Sequence, residues 1–314
     1  MITRWCLLIG ALIWAVPVQA QVLFDENFEV PLGEVHSTGP VIDALKAKGW
    51  AGYIEASTQE IGSIISKTSR TGAASRVIRY RYGFMDIQPF NVRDSTNVKL
   101  TRFFPGITDM WTRAWLRWEK IDPNAPSFWV KFPSSPNSKQ QYFNPGIGES
   151  VGTSVGFHSS TNPVQLFAFL STRFLRYCRA GQTLLVQTCN YYANTPTPVN
   201  MTIHDGPSDR PTQWACVEVH YKGNFPLDAY NGQFQIWVNG VQTINYTDLK
   251  MFTESPIAGE TNTFRYVQVY RQSAENMFRY EDDFGVSTAR IGCGATPLSL
   301  DTQPPTGPTG LRLN

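Results

Sequence analysis

The segment 214–248 constrains the fold most, because its apolar and polar residues alternate with a period of two. Its first part, ACVEVHYK, places Val, Val and Tyr on one side and Glu, His and Lys on the other. The run QFQIWV alternates in the same way, and Asn239-Gly240 after it is a tight-turn signal because both residues tolerate positive φ. We therefore predict an antiparallel meander with one apolar face.

The second face of this meander combines charged, amide and aromatic side chains: Glu218, His220, Lys222, Gln235 and Trp237. Such groups can bond sugar hydroxyls and stack on sugar rings. The alternative is that this is the solvated side of an ordinary antiparallel sheet. The pattern makes the face a candidate glycan-binding surface but leaves that alternative open.

Short alternating runs elsewhere predict an all-β protein. The clearest is MWTRAWLRWEK at 110–120, and the others lie at 24–29, 64–66, 76–82, 128–132, 151–158, 164–171 and 264–271. Residues 277–292 are expected to close the domain. We predict one helix, at residues 41–48. Asp43 lies near its N-terminus, and Lys46 and Lys48 lie near its C-terminus, where their charges suit the helix dipole.

The first 20 residues predict a signal peptide, because Arg4 precedes an apolar run and Val18-Gln19-Ala20 is a small-residue cleavage site. The mature protein is expected to be secreted or periplasmic, without membrane insertion, and monomeric. No later run approaches the roughly 20 apolar residues that spanning requires. We predict that residues 21–294 form one domain and that the Pro-rich segment 295–314 is a tail or linker.

The formal net charge of +2 argues against a nucleic-acid partner, which requires a strong basic excess. Four cysteines lie beyond the predicted signal peptide, and an even number in an exported chain predicts two disulfides. Of the three pairings, we favour Cys178 with Cys189, closing a short loop, and Cys216 with Cys293, tying the central strand to the end of the domain.

The order of these segments resembles the concanavalin A-like jelly-roll superfamily, nearest its secreted polysaccharide-lyase-like and laminin-G-like branches. The resemblance spans residues 24–292 and rests on FDENFE, RAWLRWEK, WVKF, W-x-x-x-E-x-H-x-x-x-N, WVNG and YEDDFGVSTARIG. It implies a sandwich of two antiparallel sheets whose concave sheet binds or cleaves glycans. Because this fold hosts lectins, hydrolases and lyases, activity has to be argued from the site.

The same resemblance implies a structural calcium ion, since Glu29 and Asp283 match the positions at which many such jelly rolls hold one. Carboxylate oxygens are the hard ligands that calcium prefers. Adjacent acids such as Asp282-Asp283 are also common turn or edge residues. No organic cofactor is expected.

Two-carboxylate glycosidase chemistry is disfavoured, because Glu218 stands alone on its strand and Asp282 and Asp283 would point to opposite faces if extended. A β-eliminating lyase instead needs groups that neutralise a uronate carboxylate, a base and an acid. The chain lacks the RxExR and QIH signatures of alginate-lyase relatives, which disfavours that substrate. The candidate catalytic residues are His220, Arg113, Lys222, Tyr266 and Tyr270.

Binding without catalysis requires only aromatic rings and groups that bond hydroxyls. The candidate substrate-binding residues are Trp115, Arg117, Trp129, Lys131, His158, Glu218, Gln235, Trp237 and Gln268. Each has a structural alternative, because tryptophan also fills cores, lone histidines are often structural, and Arg and Lys are usually solvated. We predict a carbohydrate-binding or carbohydrate-processing protein, with a polysaccharide lyase as the enzymatic alternative and an adhesion module with a protein partner as a third.

Overall fold

Two sheets packed face to face form the described part of the molecule. The computed structural model describes residues 21–36, 38–54, 62–82, 98–120, 138–146, 153–159, 166–172, 178–179, 203–204, 214–252, 254, 261–271 and 277–294. The strands pair antiparallel, except that Ile203–His204 runs parallel to its partner strand, Asp109–Lys120. The predicted all-β sandwich is therefore confirmed.

The larger sheet has 11 strands. They are β1 (Val22–Glu26), β2 (Gly33–Val35), β4 (Gly62–Thr68), β5 (Ala74–Tyr82), β7 (Asp109–Lys120), β11 (Cys178–Arg179), β12 (Ile203–His204), β13 (Ala215–Lys222), β14 (Gly232–Val238), β15 (Val241–Lys250) and β17 (Met277–Ser287). The main order is β11-β15-β14-β13-β7-β17-β5-β4-β2, with β1 beside β17 and β12 beside β7. Strand β7 therefore lies at the centre of this sheet.

The smaller sheet has six strands in the order β10-β9-β8-β16-β6-β3. They are β3 (Trp50–Ile54), β6 (Val98–Ile107), β8 (Ser138–Gly146), β9 (Thr153–Ser159), β10 (Leu166–Thr172) and β16 (Phe264–Arg271). The predicted pair of strands near 151–171 is thus β9 and β10. The strand predicted at 128–132 lies outside the described residues.

The predicted helix is present as α1 (Pro40–Ala47). Val41, Ile42 and Leu45 are buried in the core, while Asp43 and Lys46 lie in the first and last turns. The amphipathic spacing therefore places one apolar stripe against the sheets. Among the described residues, no helix has both the length and the apolar character that crossing a membrane would take.

The central meander is confirmed as β13, β14 and β15. Val217, Val219 and Tyr221 are fully buried, as the alternation predicts. Asn239 and Gly240 connect β14 to β15 with φ values of 49° and 81°, and the Asn239 side chain also accepts a hydrogen bond from the backbone N–H of Cys216 at 2.9 Å. The turn is therefore held both by its φ preferences and by a side-chain bond.

The core lies between the two sheets. Leu116, Val219 and Ile236 from the larger sheet meet Leu100 and Val269 from the smaller one, all fully buried. Burial of each such side chain contributes roughly 1.5–3 kcal/mol. At one end of the core, aromatic rings surround Trp50, with the rings of Phe24, Phe28 and Phe284 centred within 6.2 Å of it.

The first and last strands differ from the sequence prediction. The first strand ends at Glu26 because Phe28 adopts a positive φ of 55°, which breaks extended structure. The last strand ends at Ser287, and a β-bulge lies between Asp282 and Gly285. Asp283 has a φ of 48° there, so the pair is not extended and the opposite-face argument does not apply to it.

The disulfide between Cys216 and Cys293 is confirmed. It joins β13 to the segment that follows β17, as the sequence indicates. The side chain of Cys178 and all of Cys189 lie outside the described residues, so their pairing stays a prediction.

Candidate functional site

The larger sheet has a second side, here called the outer face, that points away from the smaller sheet. Along β7, Met110, Ala114 and Leu116 are buried in the core, so the alternate residues belong to the outer face. The pairing registers then place the following residues on it: Trp111, Arg113, Trp115, Arg117, Glu119, Glu218, His220, Gln235, Trp237, Phe278, Tyr280, Val77, Arg79 and Lys67. Many of the predicted site residues therefore share one side of the sandwich.

The first region of this face, the aromatic platform, consists of Trp111, His220 and Trp237. The ring of His220 stacks on Trp111 with centroids 4.0 Å apart and planes inclined by 13°. Trp237 lies 5.1 Å from Trp111. Because β7, β13 and β14 are neighbours, residues far apart in sequence form one continuous ring surface.

Hydrogen bonds hold the His220 ring at both nitrogens. Gln235 Nε2 donates to Asn245 Oδ1 at 2.6 Å, which turns Gln235 Oε1 toward His220 Nδ1 at 2.7 Å. On the other side, Asp109 Oδ1 lies 2.8 Å from His220 Nε2. A carboxylate only accepts, so Nε2 donates to Asp109, and Nδ1 has Gln235 as its partner.

This network bears on the predicted catalytic role of His220. A general base needs a free lone pair within reach of substrate. Both ring nitrogens already have protein partners here. The arrangement favours a positioning role, in which His220 orients Trp111, over a role as base.

Lys222 and Asp109 form the rim of the platform. Lys222 is about half exposed, and its Nζ lies 3.9 Å from Asp109 Oδ2. An exposed pair at this distance contributes little to stability. Both groups are therefore open to a ligand at the end of β13.

Glu218 is fully buried and holds the chain that follows β17. Its carboxylate accepts hydrogen bonds from Arg290 Nη2 at 2.8 Å and from the Gly292 backbone N–H at 2.7 Å. The Arg290 guanidinium in turn lies 4.6 Å from the centre of the Trp237 ring. The predicted substrate contacts Glu218 and Trp237 are thus covered by residues 290–293, which the disulfide secures.

The second region, the charged cluster, consists of Lys67, Arg79, Arg117, Glu119 and Tyr280. Glu119 lies at its centre: Lys67 Nζ is 3.0 Å from Glu119 Oε1, and Arg117 Nη2 contacts the same oxygen. The Tyr280 hydroxyl donates to Glu119 Oε2 at 2.6 Å. Arg79 is placed beside them over the Phe278 ring, at 4.7 Å.

Burial governs the chemistry of this cluster. Val77, Trp214 and Tyr280 form a small apolar cluster on the outer face, with Trp115 and Phe278 packed against it. Burial, and then the hydrogen bond to Glu119, raises the pKa of Tyr280 far above its usual value. Tyr280 is therefore a protonated phenol at physiological pH and donates a hydrogen bond to Glu119.

Sequence reasoning missed Lys67, Glu119 and Tyr280. The alternation of β7 could have placed Glu119 on the same face as Arg117, since they are two residues apart. No comparable sequence pattern links Lys67 or Tyr280 to Glu119. They join Glu119 only because β4 and β17 belong to the same sheet as β7.

Arg113 and Trp115 connect the two regions along β7. Arg113 is nearly fully buried, and its Nη2 donates to Asp25 Oδ1 at 3.2 Å. The Arg70 guanidinium covers Trp115, 4.8 Å from the ring centre. These contacts give Arg113 and Trp115 structural partners in addition to any role toward a ligand.

Tyr266, Gln268 and Tyr270 belong to β16 in the smaller sheet. Their neighbours Val267 and Val269 point into the core, so Tyr266 and Gln268 lie on the opposite outside of the sandwich from His220. Gln268 Nε2 donates to Thr101 Oγ1 at 3.1 Å, and burial raises the pKa of Tyr266 to about 12. The predicted combination of His220 with a tyrosine of this strand does not come together.

Three predicted contacts lie outside the described residues: Trp129, Lys131 and the side chain of His158. The two predicted calcium ligands face different arginines, with Glu29 Oε2 3.6 Å from Arg76 Nε and Asp283 Oδ2 2.9 Å from Arg70 Nε. This donor set does not fit a cation that takes six to eight oxygens. Within the described ranges, no three His, Cys, Asp or Glu side chains could hold a metal. Calcium stays a prediction.

The stacked sheets and their strand order define the class of fold, an antiparallel jelly-roll sandwich of the concanavalin A type. No family model matches the chain, and no curated protein matches it in sequence. Among solved structures, it is similar to an alginate lyase determined with an alginate trisaccharide, at 12% identity and a TM-score of 0.51, covering 85% of this chain and 97% of that one. This likeness is one of fold, and it agrees with the jelly-roll sandwich predicted from the sequence.

Two further similar structures are an endo-β-1,4-glucuronan lyase from the fungus Trichoderma reesei and the carbohydrate recognition domain of Emp46p. The first has 12% identity and a TM-score of 0.36, covering 82% of this chain and 95% of that one. The second has 11% identity and a TM-score of 0.34, covering 83% of this chain and 97% of that one.

Proposed function

We propose that this protein is exported and binds a polysaccharide through the aromatic platform. The observation that carries the proposal is the Trp111–His220 stack, with its amide and charged neighbours near one end of the central strands of the larger sheet. A half-buried indole offers a flat apolar surface to the CH face of a sugar, and polar groups beside it can bond hydroxyls. The Cys216–Cys293 disulfide supports export, because such bonds persist in oxidising compartments.

Affinity electrophoresis against a panel of acidic and neutral polysaccharides tests this proposal. We expect retardation by at least one glycan, and loss of that retardation in Trp111→Ala. Phe103→Ala is the matched control, because Phe103 is an exposed aromatic residue, 65% accessible, on the smaller sheet. Equal loss in both variants, or no retardation of the unaltered protein by any glycan, would overturn the proposal.

A second candidate function is polysaccharide lyase activity at the charged cluster. The observation that favours it is that Tyr280 and Lys67 bond the same Glu119 carboxylate, beside Arg117. In β-elimination, a base removes the proton at C5 of a uronate, the C4–O4 bond breaks as a C4=C5 double bond forms, and an acid protonates O4. In this cluster the Glu119 carboxylate would take the C5 proton, the Tyr280 hydroxyl would give its proton to O4, and Lys67 and Arg117 would neutralise the uronate carboxylate.

The ultraviolet absorbance of the unsaturated product tests this second candidate. With a uronic-acid substrate, Tyr280→Phe should lower the rate by about 100-fold or more, because it removes the proton donor. Tyr266→Phe should leave the rate unchanged, because it removes a hydroxyl on the opposite outside of the sandwich. A flat trace with every uronic-acid glycan, or equal rates in both variants, would reject lyase activity at this cluster.

A further inference from the structure

The loop that joins β13 to β14, residues 223–231, is held as a rigid unit. Asn224 is fully buried, and its side chain makes four hydrogen bonds. Its Oδ1 accepts from the backbone N–H groups of Met251 and Phe252 at 2.7 and 2.6 Å. Its Nδ2 donates to the carbonyls of Leu227 and Phe252 at 2.9 and 3.2 Å. One amide therefore ties the loop to the chain that follows β15.

A second amide closes the loop on itself. Asn231 Nδ2 donates to the carbonyl of Phe225 at 2.7 Å, and Asn231 Oδ1 accepts from the Phe225 N–H at 3.1 Å. At the start of the loop, a Cβ on Gly223 would lie only 1.7 Å from the Phe252 ring. Only glycine fits there, so the loop packs closely on the core.

Two aromatic rings stand out from this rigid frame. Phe225 is 50% exposed and Tyr230 is 40% exposed. A single exposed apolar side chain is ordinary, but two rings fixed in one braced loop have already lost much of the freedom that binding would otherwise remove. The loop is thus pre-organised for stacking against a ligand.

The loop is continuous with the rim of the aromatic platform. It begins directly after Lys222, and the Gly223 N–H donates to the carbonyl of Thr108, next to Asp109, at 2.8 Å. Lys250 Nζ lies 5.7 Å from the Tyr230 ring centre. Because Leu249 points into the core, Lys250 and the ring beside it belong to the side of the outer face.

We propose that Phe225 and Tyr230 form a further sugar-binding subsite, which takes another pyranose unit of the same polysaccharide that the platform binds. This inference rests on the proposed binding function and extends it. Phe225 lies at most about 18 Å along the chain from His220. A long oligosaccharide on the platform therefore spans both surfaces, and a short one that fills only the platform leaves the loop free.

Calorimetric titration of the full chain with a long and a short oligosaccharide of the retarding glycan tests the subsite. Tyr230→Ala and Phe225→Ala should each weaken binding of the long ligand by about three- to ten-fold, the range expected for one lost aromatic contact. Binding of the short ligand should change less than two-fold. The conservative variants Tyr230→Phe and Phe225→Tyr should retain the affinity, and Val241→Ala, at another exposed turn, is the control.

The outcomes separate this inference from the proposed function. If Trp111→Ala abolishes binding while the loop variants bind the long ligand normally, the subsite is overturned and the platform stands. If the loop variants weaken both ligands equally, the loop acts through the platform and the subsite is also overturned. If the unaltered protein binds no glycan, both proposals are overturned together.

Discussion

The aromatic platform and the charged cluster lie on the same face of the same sheet, yet they use opposite physical chemistry. They are separated along β7 by about 27 Å, the extended distance from Trp111 to Glu119. The platform consists of stacked rings with polar groups at an open edge. The cluster consists of buried charges around one carboxylate, Glu119. The first suits recognition of a neutral surface, and the second suits chemistry on a charged group.

This difference predicts how each region responds to substitution. Removing one member of a buried charged network leaves the others uncompensated, so the cost is large. Removing an edge group of the platform exposes only groups that water can solvate. The largest changes in stability should therefore come from the cluster, and the smallest from the rim of the platform.

The largest effect is expected for Glu119→Gln. It removes the carboxylate that Lys67, Arg117 and Tyr280 share, and it should lower the free energy of unfolding by about 3–5 kcal/mol. Urea denaturation followed by tryptophan fluorescence measures this change. Glu29→Gln, which breaks an exposed pair with Arg76, is the matched control and should cost less than about 1 kcal/mol. Similar losses of unfolding free energy in the two variants would contradict the proposed difference between buried and exposed charges.

A second effect is the pH dependence of stability, to which Glu281 and Asp282 in β17 contribute. Burial raises the pKa of Glu281 to about 7, and burial and then the neighbouring Asp283 raise the pKa of Asp282 to about 7. Both values lie above those of the unfolded chain, so the folded state binds these protons more tightly. This contribution is fully present below about pH 4 and is lost as the pH rises toward 7.

Denaturant titrations between pH 5 and about pH 8 measure that dependence. We expect stability from these groups to fall across this range, by on the order of 3 kcal/mol for Glu281. Glu281→Gln should flatten the profile, because it removes the titrating group. Asp43→Asn, on the exposed side of α1, should leave the slope unchanged. A profile in Glu281→Gln that is as steep as that of the unaltered protein would show that other groups set it.

An intermediate effect is expected for Arg290→Ala at the covered edge of the platform. It removes one partner of buried Glu218 but leaves the Gly292 N–H in place, so the loss should be about 1–2 kcal/mol, discounted because Arg290 is partly exposed. It also uncovers the Trp237 ring, so quenching of tryptophan fluorescence by acrylamide should increase. Arg76→Ala is the control. Unchanged quenching would show that Arg290 does not shield Trp237.

The smallest effect is expected for Asn245→Ala at the exposed edge of the platform. The substitution frees Gln235 Nε2, which water can then bond, so stability should fall by less than about 1 kcal/mol. Glycan affinity should nevertheless decrease, because the amide pair no longer orients His220 and Trp111. Thr247→Ala, on the same strand, is the control for calorimetric titration. A stability loss comparable to that of Glu119→Gln would remove the distinction between the two regions.

Much of the fold follows from alternation alone, but the site does not. The period of two predicts β7, the central meander and β16, because each strand alternates within a few neighbouring residues. The prediction of the site is wrong where it depends on the sheet to which a strand belongs, because alternation does not specify that sheet. Tyr266 has the expected parity on its strand, yet β16 pairs with β6 and β8 in the smaller sheet, which carries it away from His220.

The burial of Glu218 and His220 on the outer face likewise could not be predicted from the local sequence. The alternation correctly places Glu218 and His220 on one side of β13. What covers them comes from elsewhere in the chain: Arg290 and Gly292 on Glu218, and Asp109 and Trp111 on His220. The face of the strand on which a side chain lies follows from the local alternation, but its exposure depends on such distant segments.

The sequence by itself determined the all-β class, the helix and the meander with its Asn239-Gly240 turn, because local periodicity and turn preferences carry these features. The cysteine number left three pairings open, and the structure shows the favoured Cys216–Cys293 bond. Tertiary structure alone decided the sheet of each strand, the bulge at Asp283 and the charged cluster. The cluster takes Lys67 from β4, Glu119 from β7 and Tyr280 from β17. No local pattern encodes that meeting, because it depends on long-range pairing that packs the whole apolar core at once.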